Sequence, residues 1–443
     1  MPVDAQHVLA VRRFRSSTPA RWLTFAAAGA LLLSACTSGS PAIVTVTSNT
    51  VVPGSTSTSA RATDSTTDGT SAATSGGKAT VGTAGSPTPT TLPIGAQPDG
   101  FVPTKLKPGQ KPPQFIVMSF DGVGWHEKWQ YWKSIQDRVP FHFTGFLSGT
   151  YMLTTATKTK YSGPNRAPGK ASISFSGTAD LPIEISDLND ALARGDEIGT
   201  HFVGHFCSDN PPGGKDWDTS DWNEELDQFF TLVKNVNVNN GITDKLNLPA
   251  AEIQGERTPC LEGRQADLYP ALQAHGITYD TSIAREGLYW PTQTTQYMTH
   301  GYKIWQIGMS QFPIEGAVLD YPSHHKQITM DYNFWYSQRH NESTGVTLDQ
   351  SAQDSAQVLA TYNAMFDAVN NGNRAPLILG NHFEAWNNNA YTTALGNFVM
   401  ATCGQPDVKC LPFRDLIAWM NVQDPAVLAQ LQAQKPQFGN PSN

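Results

Sequence analysis

Phe115-Ile-Val-Met-Ser-Phe120 runs directly into Asp121-Gly122-Val-Gly124. The run is nearly all apolar, and Lys111-Pro-Pro breaks the chain before it. Such a stretch reads as a buried parallel strand, because a strand covered on both faces has no polar face to alternate with. Its end leaves a carboxylate, Asp121, where the chain turns off the sheet. A second stretch, Glu197-Ile-Gly-Thr-His201-Phe-Val-Gly-His205, reads as a short strand followed by a turn with two imidazoles. Residues four apart share a face if the backbone makes one helical turn. Two neutral imidazoles aimed at one spot suit a borderline metal such as zinc. The alternative for such a pair is one buried, hydrogen-bonded His and one surface His. A third stretch, Pro376-Leu-Ile-Leu379, reads as another short strand ending at Asn381-His382.

Helices are expected between these strands. Trp125, Trp129 and Trp132 recur at helical spacing, which fits core packing better than a sugar platform. Asp187 to Arg194 reads as a short helix stopped by Gly195. Asp221 is a candidate N-cap with Glu224 three residues on, opening a helix that buries Leu226, Phe229, Phe230 and Val233. Further helices are expected at Arg264 to Gln273, Ser351 to Asn370 and Phe413 to Met420. Phe141 to Leu153 and Ile277 to Tyr279 add strands, the latter reaching Asp280. Strands alternating with helices predict a parallel α/β fold. Asp121, His201 and His382 then each follow a different strand, on the rim where barrels of parallel strands build their chemistry. The segment Arg285 to Leu348 is long and aromatic, and its pattern assigns no element.

The chain has 443 residues, 15% charged, with a formal net charge of -8. It has no basic footprint for nucleic acid. Arg12, Arg13, Arg15 and Arg21 precede a short apolar run, Leu23 to Leu33, too short to span a membrane. The run ends in Leu33-Ser34-Ala35-Cys36, which looks like a bacterial lipobox, with Cys36 as the lipidated residue. Residues 1–35 thus read as a lipoprotein signal peptide. Residues 36–99 are rich in Ser, Thr, Gly and Ala and cannot bury enough surface to offset chain entropy, so they read as a disordered tether. Residues 100–443 read as one folded domain. The expected location is the outer face of a bacterial cell membrane, attached only through lipid. Of five cysteines, Cys36 would carry lipid, leaving an even number in an oxidising compartment. Among the three possible pairings, Cys403 with Cys410 and Cys207 with Cys260 are favoured.

Taken together, these stretches resemble the polysaccharide deacetylase family, the NodB-homology or carbohydrate esterase family 4 domain, most closely its chitin-deacetylase-like branch. Ser119-Phe-Asp121-Gly122 resembles the first motif, Thr-Phe-Asp-Asp. His201-Phe-Val-Gly-His205 resembles the second, His-Ser/Thr-x-x-His. Arg257-Thr-Pro259-Cys260 resembles Arg-x-Pro-Tyr, and Tyr279-Asp280-Thr-Ser the Tyr-Asp-Ser-Ser segment after it. Leu379-Gly-Asn-His382-Phe-Glu-Ala-Trp386 resembles the last motif. The order matches from about Gln114 to Met420.

The resemblance implies a deformed (β/α) barrel of about seven strands. It also implies metal-assisted removal of N-acetyl groups from a cell-envelope polysaccharide such as peptidoglycan. Carried over, Asp121 is the base, His382 the acid, and Arg257 orients Asp121. Asp280 joins the catalytic set, and His201, His205 and Asp121 face a divalent metal, expected to be zinc. Trp290 and Trp386 are candidates for walling a sugar groove, with core packing as the alternative for each. The match departs at two positions. Gly122 replaces the family's metal-binding Asp, and Phe202 replaces the second-motif Ser or Thr. Either Asp121 serves as ligand, or Glu127 or Glu384 substitutes, or no tight metal binds. Two other functions remain open: a degenerate glycan-binding lipoprotein, and a hydrolase of another non-peptide C–N bond.

Overall fold

The computed structural model describes residues 101–316, 326–342 and 344–439. The chain divides into two units, residues 1–83 and 84–443. The expected signal peptide, Cys36 and residues 36–99 all lie outside the described residues. Among the described residues no helix is long and apolar enough to cross a membrane.

Twelve strands are described: β1 (Gln114–Asp121), β2 (Thr144–Leu147), β3 (Glu197–Thr200), β4 (Gly255–Glu256), β5 (Tyr279–Asp280), β6 (Ala284–Glu286), β7 (Thr292–Thr294), β8 (Ile304–Gln306), β9 (Met309–Pro313), β10 (Lys326–Ile328), β11 (Leu377–His382) and β12 (Val408–Cys410). The helices are α1 (His126–Gln136), α2 (Leu181–Arg194), α3 (Thr219–Lys234), α4 (Val236–Asn240), α5 (Gln265–Ala274), α6 (Asp331–Arg339), α7 (Leu348–Asn370), α8 (Trp386–Thr402), α9 (Phe413–Val422) and α10 (Pro425–Gln432).

The main sheet runs β11-β1-β2-β3-β4-β5-β8-β7, with β12 also paired to β1. Every neighbouring pair from β11 to β8 is parallel, and only β7 runs antiparallel to β8. Seven parallel strands in sequence are the deformed (β/α) barrel that the motifs implied. The central strand β1 is buried along its whole length, which is why its sequence shows no alternation. A second sheet, β10-β9-β6, comes from the stretch left unassigned by sequence. Met309 of β9 packs against Gly380 of β11, where a Cβ would meet the Met309 methyl at 2.5 Å. β9 therefore lies beside the edge strand that the main sheet leaves open.

Helix boundaries follow local chemistry. Asp218, not Asp221, caps α3: its side chain accepts from the Ser220 and Asp221 N–H groups. Asp221 sits at the third position and closes the capping box from the other side. α7 begins three residues before the expected Ser351, because Thr347 and Gln350 form a capping box ahead of it. α2 extends back to Leu181, where Pro182 occupies the first turn. Trp129 and Trp132 are buried in the core, but Trp125 is 49% exposed.

Both expected disulfides form, Cys207–Cys260 and Cys403–Cys410. The first closes a separation of 53 residues and the second one of 7. Chain-entropy reasoning assigns about 4 kcal/mol to the long closure and about 2 kcal/mol to the short one. A Cys207→Ser/Cys260→Ser double variant should therefore lose more stability than Cys403→Ser/Cys410→Ser, measured as the shift in urea midpoint. Equal shifts would remove the argument from loop length.

Candidate active site

Four strand ends converge on one cavity of about 480 Å3, lined by Asp121, His201, His205 and His382 among others. Asp121 ends β1 and His382 ends β11, and the two are register partners on paired strands. His201 follows β3, and Arg257 follows β4, donating its N–H to the Thr200 carbonyl at 3.1 Å. Parallel strands in register thus bring groups far apart in sequence to one rim.

At the centre, Arg257 donates to Asp121 Oδ1 at 2.8 Å, with both side chains buried. The guanidinium also donates to Ser119 Oγ at 2.9 Å and Thr281 Oγ1 at 3.0 Å, and it lies over the Phe146 ring. Burial pushes the Asp121 carboxyl up, but the charge and hydrogen bond of Arg257, with the neighbouring imidazoles, outweigh it. Asp121 is therefore held below the usual carboxylate range and stays ionised at neutral pH.

His382 is held by a residue that no motif signalled. Asp331, the first residue of α6, accepts from His382 Nδ1–H at 2.7 Å with Oδ1 and from the His382 backbone N–H at 2.7 Å with Oδ2. A parallel bridge between Met330 and Gly380 sets that alignment. Burial would lower the imidazole's pKa, but the charge and hydrogen bond of Asp331, with Asp121, raise it above its ordinary value. The same neighbours that hold Asp121 ionised thus favour the protonated form of His382 beside it.

The two imidazoles of the turn behave differently. Burial, joined for His205 by the neighbouring imidazoles of His201 and His382, lowers both, His205 to about 3. Both are neutral at neutral pH and offer a lone pair. His201 Nδ1 lies 2.7 Å from the Arg257 carbonyl. Donation there leaves Nε2 as the free donor atom, the arrangement usual for a metal-ligating imidazole. The rings sit 5.1 Å apart, centroid to centroid. Phe202 and His205 both adopt left-handed backbone, with φ 57° and 54°, which costs on the order of 1–2 kcal/mol each for a residue with a Cβ.

Among the described residues, no third His, Cys, Asp or Glu ligand atom groups with those of both His201 and His205. Among the described residues, only His205, Cys207 and Cys260 bring three ligand-type atoms within 4.8 Å of one another. The two sulfurs there are bonded to each other, so that cluster is no metal site. Gly122 lies at φ 67°, and a Cβ built on it would meet the Tyr151 hydroxyl at 3.4 Å. Glu127 lines a neighbouring cavity of about 640 Å3, and Glu384 lines both. His201 and His205 are the residues that would hold a divalent ion, and two imidazoles alone would hold it weakly.

Two of the expected site residues lie elsewhere. Trp290 is buried, donates from Nε1 to the Asn373 carbonyl and stacks on Trp419, so it belongs to the core. Asp280 is also buried and does not line the cavity. It accepts from the Tyr269 hydroxyl at 2.8 Å and the Ser282 N–H at 2.6 Å. Beside it, burial and the Asp280 charge push Glu256 well above the usual carboxylate range. Asp280 braces the turn after β5 behind Arg257. Trp386 does line the cavity. Its ring lies 4.9 Å from that of His382 and stacks at 4.9 Å on Trp335 of α6. Tyr332, 42% exposed, completes this aromatic wall.

No family model matches the sequence, and no curated protein matches it. Solved structures do match. A Mycobacterium smegmatis protein described as a polysaccharide deacetylase is 14% identical, with 77% of this chain and 99% of that one covered at a TM-score of 0.43. A family 4 carbohydrate esterase of Streptomyces lividans, in complex with acetate, is 9% identical over 67% of this chain and 91% of its own at 0.31. A family 4 pseudoenzyme of Bacillus anthracis is 9% identical over 72% and 70% at 0.35. These are structures of the family that the motifs resemble. At such identities, only the chain's own side chains speak to its chemistry.

Those side chains make one electrostatic expectation directly testable. Asp331 raises the His382 pKa by favouring the imidazolium, so removing its charge lowers that pKa. Asp331→Asn should shift the His382 titration midpoint to lower pH, read from the imidazole proton resonances. An unmoved midpoint would mean that Asp331 does not control this group.

Proposed function

We propose that this chain is a hydrolase that removes N-acetyl groups from a cell-envelope polysaccharide. The observation that carries the reading is the convergence on one cavity of Asp121, paired with Arg257, of His382, paired with Asp331, and of the two turn imidazoles His201 and His205. Asp121 takes the proton of the attacking water, and Arg257 keeps it ionised and fixed. His382, held by Asp331, gives a proton to the departing amine nitrogen. His201 and His205 would hold a divalent ion, expected to be zinc. When bound, such an ion lowers the pKa of coordinated water and polarises the acetamide carbonyl. Trp386 and Tyr332 offer apolar faces on which a sugar ring stacks.

We further propose that Cys36 anchors the protein by lipid to the outer face of the cell membrane, with residues 36–99 as a tether and the folded domain, 100–443, reaching N-acetylated glycan such as peptidoglycan. The lipobox-like Leu33-Ser34-Ala35-Cys36 and the Ser/Thr-rich segment after it support that arrangement. Gly122 favours a second reading, a glycan-binding protein that has lost catalysis, because glycine supplies no ligand. Hydrolysis of another non-peptide C–N bond is a third reading, less favoured because two cavities adjoin at Gly122 and Tyr151 and suit an extended substrate.

The test is acetate release from N-acetylated chito-oligosaccharide and from peptidoglycan by the full chain, with zinc added or removed by chelator. Zinc-dependent release that falls by about 10²–10⁴-fold in Asp121→Asn and in His382→Ala is expected. Glycan binding without release in the parent would favour the second reading. Gly122→Asp should bind zinc more tightly by adding a carboxylate, while losing about 1 kcal/mol of stability to the left-handed backbone. Zinc affinity by calorimetry and urea unfolding check both parts. Unchanged affinity would mean that position 122 does not reach the metal.

A further inference from the structure

The two imidazoles sit at either end of Phe202-Val203-Gly204. This link is buried and bends through left-handed backbone at Phe202 and again at His205. Such a turn keeps its shape only if its polar groups are committed to partners. The Phe202 N–H donates to Thr200 Oγ1 at 2.9 Å. The Phe202 carbonyl accepts from Gly149, and the Gly204 carbonyl accepts from Ser172. The two remaining N–H groups, of Val203 and Gly204, both donate to one atom, Glu225 Oε1, at 3.0 and 2.7 Å.

Glu225 comes from α3 and is completely buried. Its carboxylate accepts a further hydrogen bond from the Tyr161 hydroxyl, 2.8 Å from Oε2 and 3.0 Å from Oε1. One helical turn earlier, Trp222 packs its ring against Phe202 at 4.9 Å. Gly204 admits this arrangement because a Cβ there would lie 2.2 Å from the Tyr161 oxygen. A buried carboxylate in an otherwise apolar helix face needs a reason, since burying a charge is costly unless hydrogen bonds meet it. Here the donors that meet it belong to the turn that spaces the two histidines.

We propose that Glu225 is a positioning residue for His201 and His205. Its carboxylate clamps the turn so that both imidazoles face one point in the cavity, and Tyr161 holds the carboxylate in place. Glu225 touches neither substrate nor reacting atoms. The inference rests on the deacetylase reading only for what the imidazoles hold, not for the clamp itself.

The geometry distinguishes two substitutions in the full chain. In Glu225→Gln the amide oxygen accepts both N–H groups, and the amide nitrogen turns to the Tyr161 oxygen. In Glu225→Met the volume remains but no acceptor does. Zinc titration by calorimetry, kcat and KM for acetate release, and hydrogen exchange at the Val203 and Gly204 amides are the readouts. The Gln variant should stay close to the parent in all of them. The Met variant should lose about 10–100-fold in zinc affinity, lose kcat more than KM, and exchange faster at those two amides while β1 keeps parental protection. A Met variant with parental zinc affinity and parental exchange would overturn the proposal. If Glu225→Met does not fold, Tyr161→Phe decides: faster exchange and weaker zinc support the clamp, and parental values for both overturn it. If the parent itself binds no zinc and releases no acetate, the deacetylase reading fails. Exchange at Val203 and Gly204 then still decides the clamp, faster in Met than in Gln for it and equal against it.

Discussion

The buried contact between Arg257 and Asp121 organises the centre of this molecule. A guanidinium with no solvent exposure must have its donors and its charge met by the protein. It is met from three strands: Ser119 and Asp121 on β1, Thr281 just after β5, and the ring of Phe146 on β2. Removing one partner of such a pair typically costs 3–5 kcal/mol, because the other charge stays buried. The pair therefore ties strands together and fixes the protonation state of Asp121. Structure and chemistry rest on one contact.

The rest of the rim is arranged around that fixed negative charge. His382 on the neighbouring strand is pushed above its ordinary pKa by Asp331 and Asp121, whereas burial pushes His201 and His205 below theirs. Four titratable groups in one cavity are thus driven to different states by different neighbours. Such a separation is what the proposed acid and base roles of His382 and Asp121 require. The glycine at position 122 leaves the neutral pair without a carboxylate companion, so the turn that carries them matters more. Its shape is set by Glu225 from outside the cavity.

The segment from Arg285 to Leu348 changes from an unassigned insert to part of the site. Among its described residues, β9 lies beside β11, and α6 delivers Asp331 to His382 and Trp335 to Trp386. One helix thereby supplies both an electrostatic partner and an apolar wall. The wall stands over His382 at the cavity edge, while the acidic second cavity continues past Tyr151 and Glu384.

By itself, the sequence determined what is written in near neighbours. Phe115 to Phe120 reads as a buried strand, and the residues just after such strands are expected on a common rim. That made Asp121, His201, His205 and His382 legible, along with the disulfide pairs and most helices. What depended on contacts across the chain was not legible. Asp331 lies 51 residues from His382, and Arg257 lies 136 from Asp121. Motif order pointed to Arg257 but nothing local pointed to Asp331. Trp290 and Trp386 carry the same side chain near comparable motifs, yet one is core and the other lines the cavity. Glu225 sits in the apolar stripe of α3, where periodicity marks burial but not the hydrogen bonds that make it tolerable. Periodicity records which face of an element is covered. Only the tertiary structure decides what covers it, because those partners are set by strand register and helix packing rather than by spacing along the chain.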